Sequence, residues 1–193
     1  MLKLVPEQRV VLHSCSWDTY ERILADHADQ RAPRLTFDSG VLEIMSPSPE
    51  HENASERLKE LVLSACVALG LKVRLLGSTT QRRADLMKGA EPDSSYSFQG
   101  RDEPDLVVEI EATGSALDKL SIFAALGIPE VWRYDLKRLS IFWLEDGVYR
   151  AFERSGFLPL KAVDIAARMS IPGDDTEWTR GVRDWLKDIS AGG

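Results

Sequence analysis

Apolar residues recur at helical spacing in several separate parts of the chain. The first helix is predicted over 16–30, where a serine of a type that caps helix amino-termini precedes the apolar positions. The longest helix is predicted to begin after Ser48 and Pro49 and to end at Gly70, because glycine favours the backbone conformation that terminates helices. Two further helices are predicted at 116–125 and 178–189.

The segments between these helices have the shorter apolar periodicity of β-strands. Residues 34–46 predict a hairpin, because Asp38, Ser39 and Gly40 supply turn residues between two runs of β-forming residues. The segment 71–83 predicts one or two strands, and 84–90 predicts a loop. The remaining strands are predicted at 92–98, 104–111, 131–135, 139–146 and 148–153.

This order of elements predicts an α/β fold of the α+β kind, with one central mixed β-sheet flanked by helices. The pattern contains no linker, low-complexity tract or solenoid repeat, so residues 1–193 are expected to form a single domain. Its core is expected over about 34–155, with the helices at 16–30 and 178–189 added at either end.

Composition narrows the class of protein without identifying it. Apolar residues are 44% and charged residues 28% of the 193, which is ordinary for a globular domain. No apolar run approaches the ~20 residues of a membrane span, and the amino-terminus lacks the features of an export signal. Cys15 and Cys66 have neither metal-ligand nor disulfide spacing. We therefore expect a reduced, cytoplasmic protein with no membrane partner.

The formal net charge of −7 argues against a chain-wide electrostatic footprint for nucleic acid. An acidic protein can nevertheless hold a local basic groove. A bound divalent cation also adds positive charge at the place where a phosphate binds. Charge therefore does not exclude a nucleic-acid substrate.

Seven carboxylates crowd the segment 91–111, EPDSSYSFQGRDEPDLVVEIE, although its second half is as apolar as a buried strand. Alternation along that strand puts Asp105, Glu109 and Glu111 on one face, with neighbouring positions about 7 Å apart. Val107 shares this face, and Leu106, Val108 and Ile110 share the other. One interpretation is a half-exposed strand with a polar face. The other is a buried cluster of anions that needs a cation.

A metal site is the more specific interpretation, because three suitable residues follow in order. Asp93 opens the preceding strand, Glu109 lies on the core strand, and Lys119 follows on the next helix. Two carboxylates hold Mg²⁺ or Mn²⁺, which polarises a phosphate and helps to activate water. A lysine orients that water or offsets developing charge. The alternative for Lys119 is an ordinary solvated charge on the helix surface.

Four other polar residues are weaker candidates. Glu50 and His51 begin the longest helix, where acidic residues are favoured in any case, and His51 has no second histidine or cysteine at ligand spacing. Arg82 and Arg83 are candidate phosphate contacts. Their alternative interpretation is surface charge.

Four blocks of the chain resemble, in order and spacing, the Uma-two family of restriction endonucleases within the PD-(D/E)XK nuclease superfamily. These blocks are GVLEIMSPSPEHE, GSTTQRR, EPDSSYSF and PDLVVEIEATGSALDKLSIFAALGIPEVW. The resemblance covers roughly 34–135 and implies a restriction-endonuclease-like core. It assigns the helix acid to Glu50, the first catalytic aspartate to Asp93, the strand glutamate to Glu109 and the lysine to Lys119.

The chain departs from the wider superfamily at one position. The superfamily motif has a lysine two residues after the strand acid, and here that residue is Glu111. The resemblance implies that Lys119, on the following helix, sends its ammonium group back to the same place. Glu111 is then a supporting or solvated residue, or a further metal ligand.

The resemblance implies a Mg²⁺-dependent DNA endonuclease that leaves a 5′-phosphate and a 3′-hydroxyl. A homodimer is expected, because two-fold symmetry suits cutting both strands of a duplex. Two other functions remain open at this point. One is a catalytically inactive nucleic-acid-binding or scaffold protein with the same fold, and the other is a metal-dependent hydrolase of a different phosphate substrate.

Overall fold

The computed structural model of the chain describes residues 6–27, 30 and 32–191. The α-helices are α1 (Trp17–Asp26), α2 (Pro49–Ala68), α3 (Lys119–Ala125), α4 (Ala162–Met169) and α5 (Asp175–Ala191). The β-strands are β1 (Gln8–Leu12), β2 (Arg34–Asp38), β3 (Val41–Ser46), β4 (Arg74–Gly77), β5 (Gln81–Arg83), β6 (Lys88–Ala90), β7 (Ser94–Ser97), β8 (Leu106–Ile110), β9 (Glu130–Tyr134), β10 (Leu139–Glu145) and β11 (Val148–Phe152). None of the helices in these described ranges is both long and apolar enough to cross a membrane.

The strands form two sheets. The amino-terminal sheet has the order β1-β3-β2-β6-β5 and is antiparallel throughout. The central sheet has the order β11-β10-β9-β8-β7-β4, in which β8 and β9 are parallel and the other neighbours are antiparallel. This mixed α/β architecture is compatible with a restriction-endonuclease-like α+β fold and confirms the predicted fold class.

The sequence did not predict the separate amino-terminal sheet, because two of its five strands, β1 and β6, were missed. The segment 84–90 was expected to be a loop, but Lys88–Ala90 forms β6, which pairs with both β2 and β5. Strand β1 pairs with β3. Both segments are short, and their hydrogen-bonding partners lie far away in sequence, so local periodicity does not reveal them. Helix α4 was likewise not predicted.

Helix boundaries follow their capping residues. Ser16 and Ser48 accept hydrogen bonds from the backbone of Thr19 and His51, as expected of amino-terminal caps. Helix α1 ends at Asp26, short of the predicted end at residue 30, and residues 28 and 29 lie outside the described ranges. Helix α3 begins at Lys119 and not at 116, because the side chain of Asp118 caps it.

Strand β8 lies at the centre of the molecule and is buried on both faces. Leu106, Val108 and Ile110 pack into the main core against α2 and α5, whereas Val107 packs against residues of α3 and β9. The predicted alternation is therefore confirmed. The interpretation as a half-exposed strand is wrong, because every residue from 104 to 110 is buried. Carboxylates on this strand consequently lie in the interior.

Gly89 on β6 lies against a packed aromatic cluster. A Cβ at this position would lie 2.3 Å from Tyr20 Oη, and the Tyr20 ring is stacked on Phe37 and packed edge-on against Trp17. We expect Gly89→Ala to lower the free energy of unfolding by about 1–3 kcal/mol, because the ring cannot move away freely. Urea unfolding followed by tryptophan fluorescence measures this change.

Gly114→Ala is the matched control. No atom lies within 4 Å of a Cβ built at Gly114, so this variant should change the free energy of unfolding by no more than about 0.5 kcal/mol. Equal stability of the two variants would contradict the close packing of Gly89 against Tyr20.

Candidate active site

The antiparallel pairing of β7 with β8 brings Asp93 to the carboxyl-terminal end of the buried strand β8. Asp93 directly precedes β7, and its Oδ2 accepts a hydrogen bond from the backbone N–H of Ile110 at 2.8 Å. Glu109, the residue before Ile110, is close enough for the two carboxylates to influence each other's ionisation. The carboxylates predicted from the order of the sequence therefore lie together.

Asp93 is buried but surrounded by positive groups. Its Oδ1 accepts a hydrogen bond from His51 Nε2 at 2.8 Å, and Arg34 Nε lies 3.6 Å from the same oxygen. Burial by itself raises the pKa of Asp93. The hydrogen bond and charge of His51, with the charges of Lys119 and Arg34, outweigh burial and hold the pKa below its ordinary value. Asp93 is therefore ionised at neutral pH.

Glu109 pairs with Lys119. Lys119 Nζ donates to Glu109 Oε2 at 2.7 Å, and both side chains are largely buried, at 15% and 7% exposure. Burial raises the pKa of Glu109 to about 7, the charge of Lys119 opposes the rise, and Asp93 adds to it. Burial lowers the pKa of Lys119, but Glu109 and Asp93 reverse this, so the pKa lies above its ordinary value. Lys119 is therefore a buried ammonium ion.

One carboxylate oxygen of Glu109 makes no hydrogen bond to the residues that the structure describes. Within the described part of the chain, Oε1 is buried and has no hydrogen-bond partner. An unpaired carboxylate oxygen in the interior is costly, since buried polar groups are nearly always paired. This atom is the position at which a bound cation or water would supply a missing interaction.

Glu43 organises the segment that leads into α3. It lies on β3, is almost completely buried, and accepts hydrogen bonds from Arg9 Nη1 at 2.6 Å, the Ser115 hydroxyl at 2.9 Å and the backbone N–H of Ala116 at 2.7 Å. These contacts hold the chain just before Lys119. Glu43 was not predicted as a site residue. Its one sequence signal is an acid in the middle of an apolar strand.

His51, predicted only as a supporting residue, lies at the centre of a buried network. Its ring is fully buried, with Nδ1 2.6 Å from Glu7 Oε1 and Nε2 bonded to Asp93. Burial lowers the pKa of His51, but the hydrogen bonds and charges of Asp93 and Glu7 raise it above its ordinary value. Neither Glu7 nor Arg34 was predicted, because nothing local in their neighbourhoods distinguishes them from surface charges.

Glu50, the predicted helix acid, lies elsewhere. It is exposed and lines a separate cleft with Asn53 and Arg57, whereas His51 is buried. No hydrogen bond or ion pair among the described residues joins Glu50 to Asp93 or Glu109. The residue that the amino-terminal turn of α2 brings to Asp93 is His51, because adjacent residues of a helix point about 100° apart.

Three further predicted residues make ordinary ion pairs. Arg82 Nε lies 3.3 Å from Glu21, and Arg83 pairs with Asp85 two residues away, all on exposed surface around β5. These arginines are not brought to the carboxylates, so they stand as surface charges. Glu111, at the usual lysine position, is partly exposed and pairs with Arg133 Nε at 3.2 Å.

Two clefts adjoin the carboxylates. One, of about 350 Å³, is lined by Glu109, Lys119 and Glu111 above an apolar floor that includes Phe123 and Val131. The other, of about 400 Å³, contains Arg34 and the strand residues that follow Asp93. A substrate therefore has access to Glu109 from the surface, whereas Asp93 is buried behind the residues that line the second cleft. The distribution of charge in the first cleft suits a phosphate group and a cation together.

The donor set fits a small hard cation with few protein ligands. Among residues 6–27, 30 and 32–191, no group of three or more histidine, cysteine, aspartate or glutamate side chains is arranged to hold a metal ion. Mg²⁺ does not require such a group, because it commonly binds one or two carboxylates and keeps several waters. Asp93 and Glu109, with the unpaired Oε1, are the carboxylates that could supply this minimum.

Comparison with known proteins agrees with these features. The model of the Uma2 family, described as “Putative restriction endonuclease”, matches residues 17–166. A search of the curated proteins gave no match. The matched region contains Asp93, Glu109 and Lys119, whereas Glu7 and Arg9 precede it. Because the match spans well over half of the chain, this protein belongs to the Uma2 family.

Proposed function

We propose that the protein is a Mg²⁺- or Mn²⁺-dependent DNA endonuclease that hydrolyses phosphodiester bonds by a PD-(D/E)XK-type mechanism. The observation that carries the proposal is the contact between Lys119 Nζ and Glu109 Oε2 at 2.7 Å, beside Asp93. The two acids and the lysine come from three different parts of the fold. A lysine without a charged partner would remain in solvent, because burying its ammonium group is costly. Membership of the Uma2 family supports the same nuclease class.

Asp93 and Glu109 are the residues that would hold the metal ion. When bound, such an ion polarises a phosphate and lowers the pKa of a coordinated water. Asp93 suits this role because its neighbours keep it ionised. Glu109 suits it because Oε1 has no other partner among the described residues. Asp93 in addition is held by His51 and by the backbone of Ile110.

Lys119 and Arg34 are the cations that would act on the phosphate. Lys119 hydrogen-bonds Glu109 and carries two further N–H donors, with which it can orient an attacking water or stabilise charge on a phosphate oxygen. Arg34 Nε is buried beside Asp93 and, within the described residues, has no hydrogen-bond partner. Its guanidinium therefore retains a donor for an anionic oxygen.

The position of Lys119 compensates for the glutamate, Glu111, that stands where the superfamily motif has a lysine. A lysine from α3 that reaches the strand glutamate replaces the one missing two residues after it. This contact favours an active enzyme over an inactive protein that only binds nucleic acid. We further propose that the substrate is duplex DNA and that a homodimer cuts it, because two-fold symmetry matches the two strands.

A plasmid-nicking assay tests the proposal. Supercoiled DNA is incubated with purified protein and Mg²⁺, Mn²⁺ or EDTA, beside Asp93→Ala and Lys119→Ala. Metal-dependent nicking that both variants lose supports the endonuclease. Glu50→Ala is the control, since Glu50 lies in a different cleft, and it should retain nicking within about twofold. Nicking that survives in all variants identifies a contaminant, and absence of nicking favours the inactive binding protein.

Metal binding should depend on pH through Glu109. Its pKa of about 7 means that the fraction ionised rises about tenfold between pH 6 and pH 8, and only the ionised carboxylate is a good ligand. We therefore expect Mn²⁺ affinity, measured by isothermal titration calorimetry, to rise about tenfold over this range. Glu109→Gln should abolish the rise, and Glu111→Gln should retain it. Equal affinity at both pH values in the unmodified protein would contradict the role of Glu109.

The same shift affects stability in the opposite direction. A carboxyl whose pKa is higher in the folded than in the unfolded state stabilises the metal-free protein at low pH. That contribution is lost as pH rises from about 4.5, the unfolded value, to about 7. Affinity for metal and stability of the metal-free fold thus change oppositely across this pH range.

A further inference from the structure

The imidazole of His51 is held between two carboxylates in the interior. Nδ1 lies 2.6 Å from Glu7 Oε1 and Nε2 lies 2.8 Å from Asp93 Oδ1, and the ring is 0% exposed. The catalytic roles proposed above require neither Glu7 nor His51. Glu7 also lies before the region that matches the family, so no motif of that region accounts for it.

The hydrogen bonds determine which groups donate. An ionised carboxylate only accepts hydrogen bonds, so each ring nitrogen that faces one must carry a proton. The two ring nitrogens of His51 each face one carboxylate, so the ring is held from both sides. A ring that is hydrogen-bonded on two opposite sides at these short distances has a fixed orientation. It therefore also restricts the orientation of the two carboxylates that it contacts.

Glu7 is itself held firmly. Its Oε2 accepts a hydrogen bond from Arg9 Nη2 at 3.0 Å and another from the hydroxyl of Thr113. Thr113 follows β8 by three residues, and Arg9 also contacts Glu43 on β3. Glu7 thus joins the segment before β1 to the loop after β8. It supports the His51 ring from the side opposite Asp93.

Asp93 receives one donor on each oxygen. His51 Nε2 donates to Oδ1 and the backbone N–H of Ile110 donates to Oδ2, which together determine the rotation of the carboxylate. A carboxylate oxygen can accept more than one interaction, so each oxygen of Asp93 can still coordinate a cation. Arg34 Nε, 3.6 Å from Oδ1, forms an ion pair with Asp93 but has no hydrogen-bond partner among the described residues. Without the imidazole, Asp93 is free to turn toward Arg34 and form that hydrogen bond.

We propose that Glu7 and His51 are positioning residues, which hold Asp93 in the orientation that binds the metal ion and prevent it from turning to hydrogen-bond Arg34. This inference rests on the proposed metal-dependent function. It extends the proposed site to Glu7, which belongs to the amino-terminal segment before β1. Partners of metal ligands in other proteins typically change metal affinity or activity by about 10–100-fold when removed.

The test measures Mn²⁺ affinity by isothermal titration calorimetry and stability by urea unfolding on the same full-length variants. We expect His51→Ala to weaken Mn²⁺ binding by about 10–100-fold and Glu7→Ala by about tenfold. His51→Gln, which keeps an N–H donor directed at Asp93, should recover most of the lost affinity. Glu103→Gln, an exposed acid in the loop before β8, is the control and should match the unmodified protein.

The two measurements separate positioning from a structural role. If both alanine variants bind Mn²⁺ as tightly as the unmodified protein, the proposal is overturned, whatever their stability. If His51→Ala does not fold, Glu7→Ala and His51→Gln decide the question, because neither removes a side chain from the apolar core. If the unmodified protein binds no Mn²⁺ at all, the proposed function fails first, and the positioning role fails with it.

Discussion

Asp93→Asn is expected to reduce metal-dependent cleavage by about a thousandfold. The change removes the carboxylate that its neighbours keep ionised and leaves a neutral side chain of the same shape. Charge stabilisation by a bound metal amounts to several kcal/mol, and each 1.4 kcal/mol is a factor of ten in rate. Initial nicking rates of the variant and the unmodified protein, at saturating Mg²⁺, measure the loss.

Two controls accompany this variant. Asp102→Asn removes a carboxylate whose side chain is 88% exposed, and its cleavage rate should stay within about twofold. Urea unfolding of Asp93→Asn shows whether the protein still folds, because removing one partner of a buried ion pair also destabilises. A folded Asp93→Asn variant that retains cleavage would exclude Asp93 from the site.

Lys119→Ala is expected to lower the cleavage rate by about 10²–10³-fold while leaving metal binding intact at high pH. Lys119 offsets charge on the reacting phosphate, whereas the cation itself is held by carboxylates. Because the charge of Lys119 lowers the pKa of Glu109, removing Lys119 raises that pKa above its value of about 7. Cleavage and Mn²⁺ affinity should therefore be compared at pH 9, where Glu109 is ionised in the unmodified protein and more ionised in the variant than at neutral pH.

Lys187→Ala is the matched control, because Lys187 lies on α5 with a side chain that is 72% exposed. It should match the unmodified protein in both measurements. A Lys119→Ala variant that binds Mn²⁺ normally and still cleaves at the full rate would mean that the ammonium only balances buried charge. A variant that loses both at pH 9 would instead assign Lys119 to holding Glu109 in place.

Much of the fold follows from local patterns. The helical spacing in α2, the capping serine before it and the glycine after it predicted that helix closely, and the turn residues predicted the hairpin of β2 and β3. The β6 segment was missed, because Lys-Gly-Ala has no intrinsic preference for a strand. It is a strand because β2 and β5 provide hydrogen-bonding partners on either side.

Some residues of the candidate site were likewise predictable from the sequence, and others were not. Asp93, Glu109 and Lys119 were predicted from their order, since an acid on an apolar strand is unusual enough to attract attention. Glu50 and His51 are adjacent, and the sequence favoured Glu50. The orientation of α2 against the central sheet turns His51 inward and leaves Glu50 exposed. Helical periodicity defines the apolar stripe but does not determine which polar residue at the first turn faces Asp93.

The sequence by itself determined most of the elements, the alternation along β8 and the three residues that the proposed chemistry needs most. These features depend on interactions between residues that are near each other in sequence, so local patterns reveal them. The surroundings of those residues depend on the folded chain. Arg9 contacts Thr113, 104 residues later, and Glu7 reaches His51, 44 residues later. Such contacts form only after the sheets pair, because their partners belong to elements that no local pattern links.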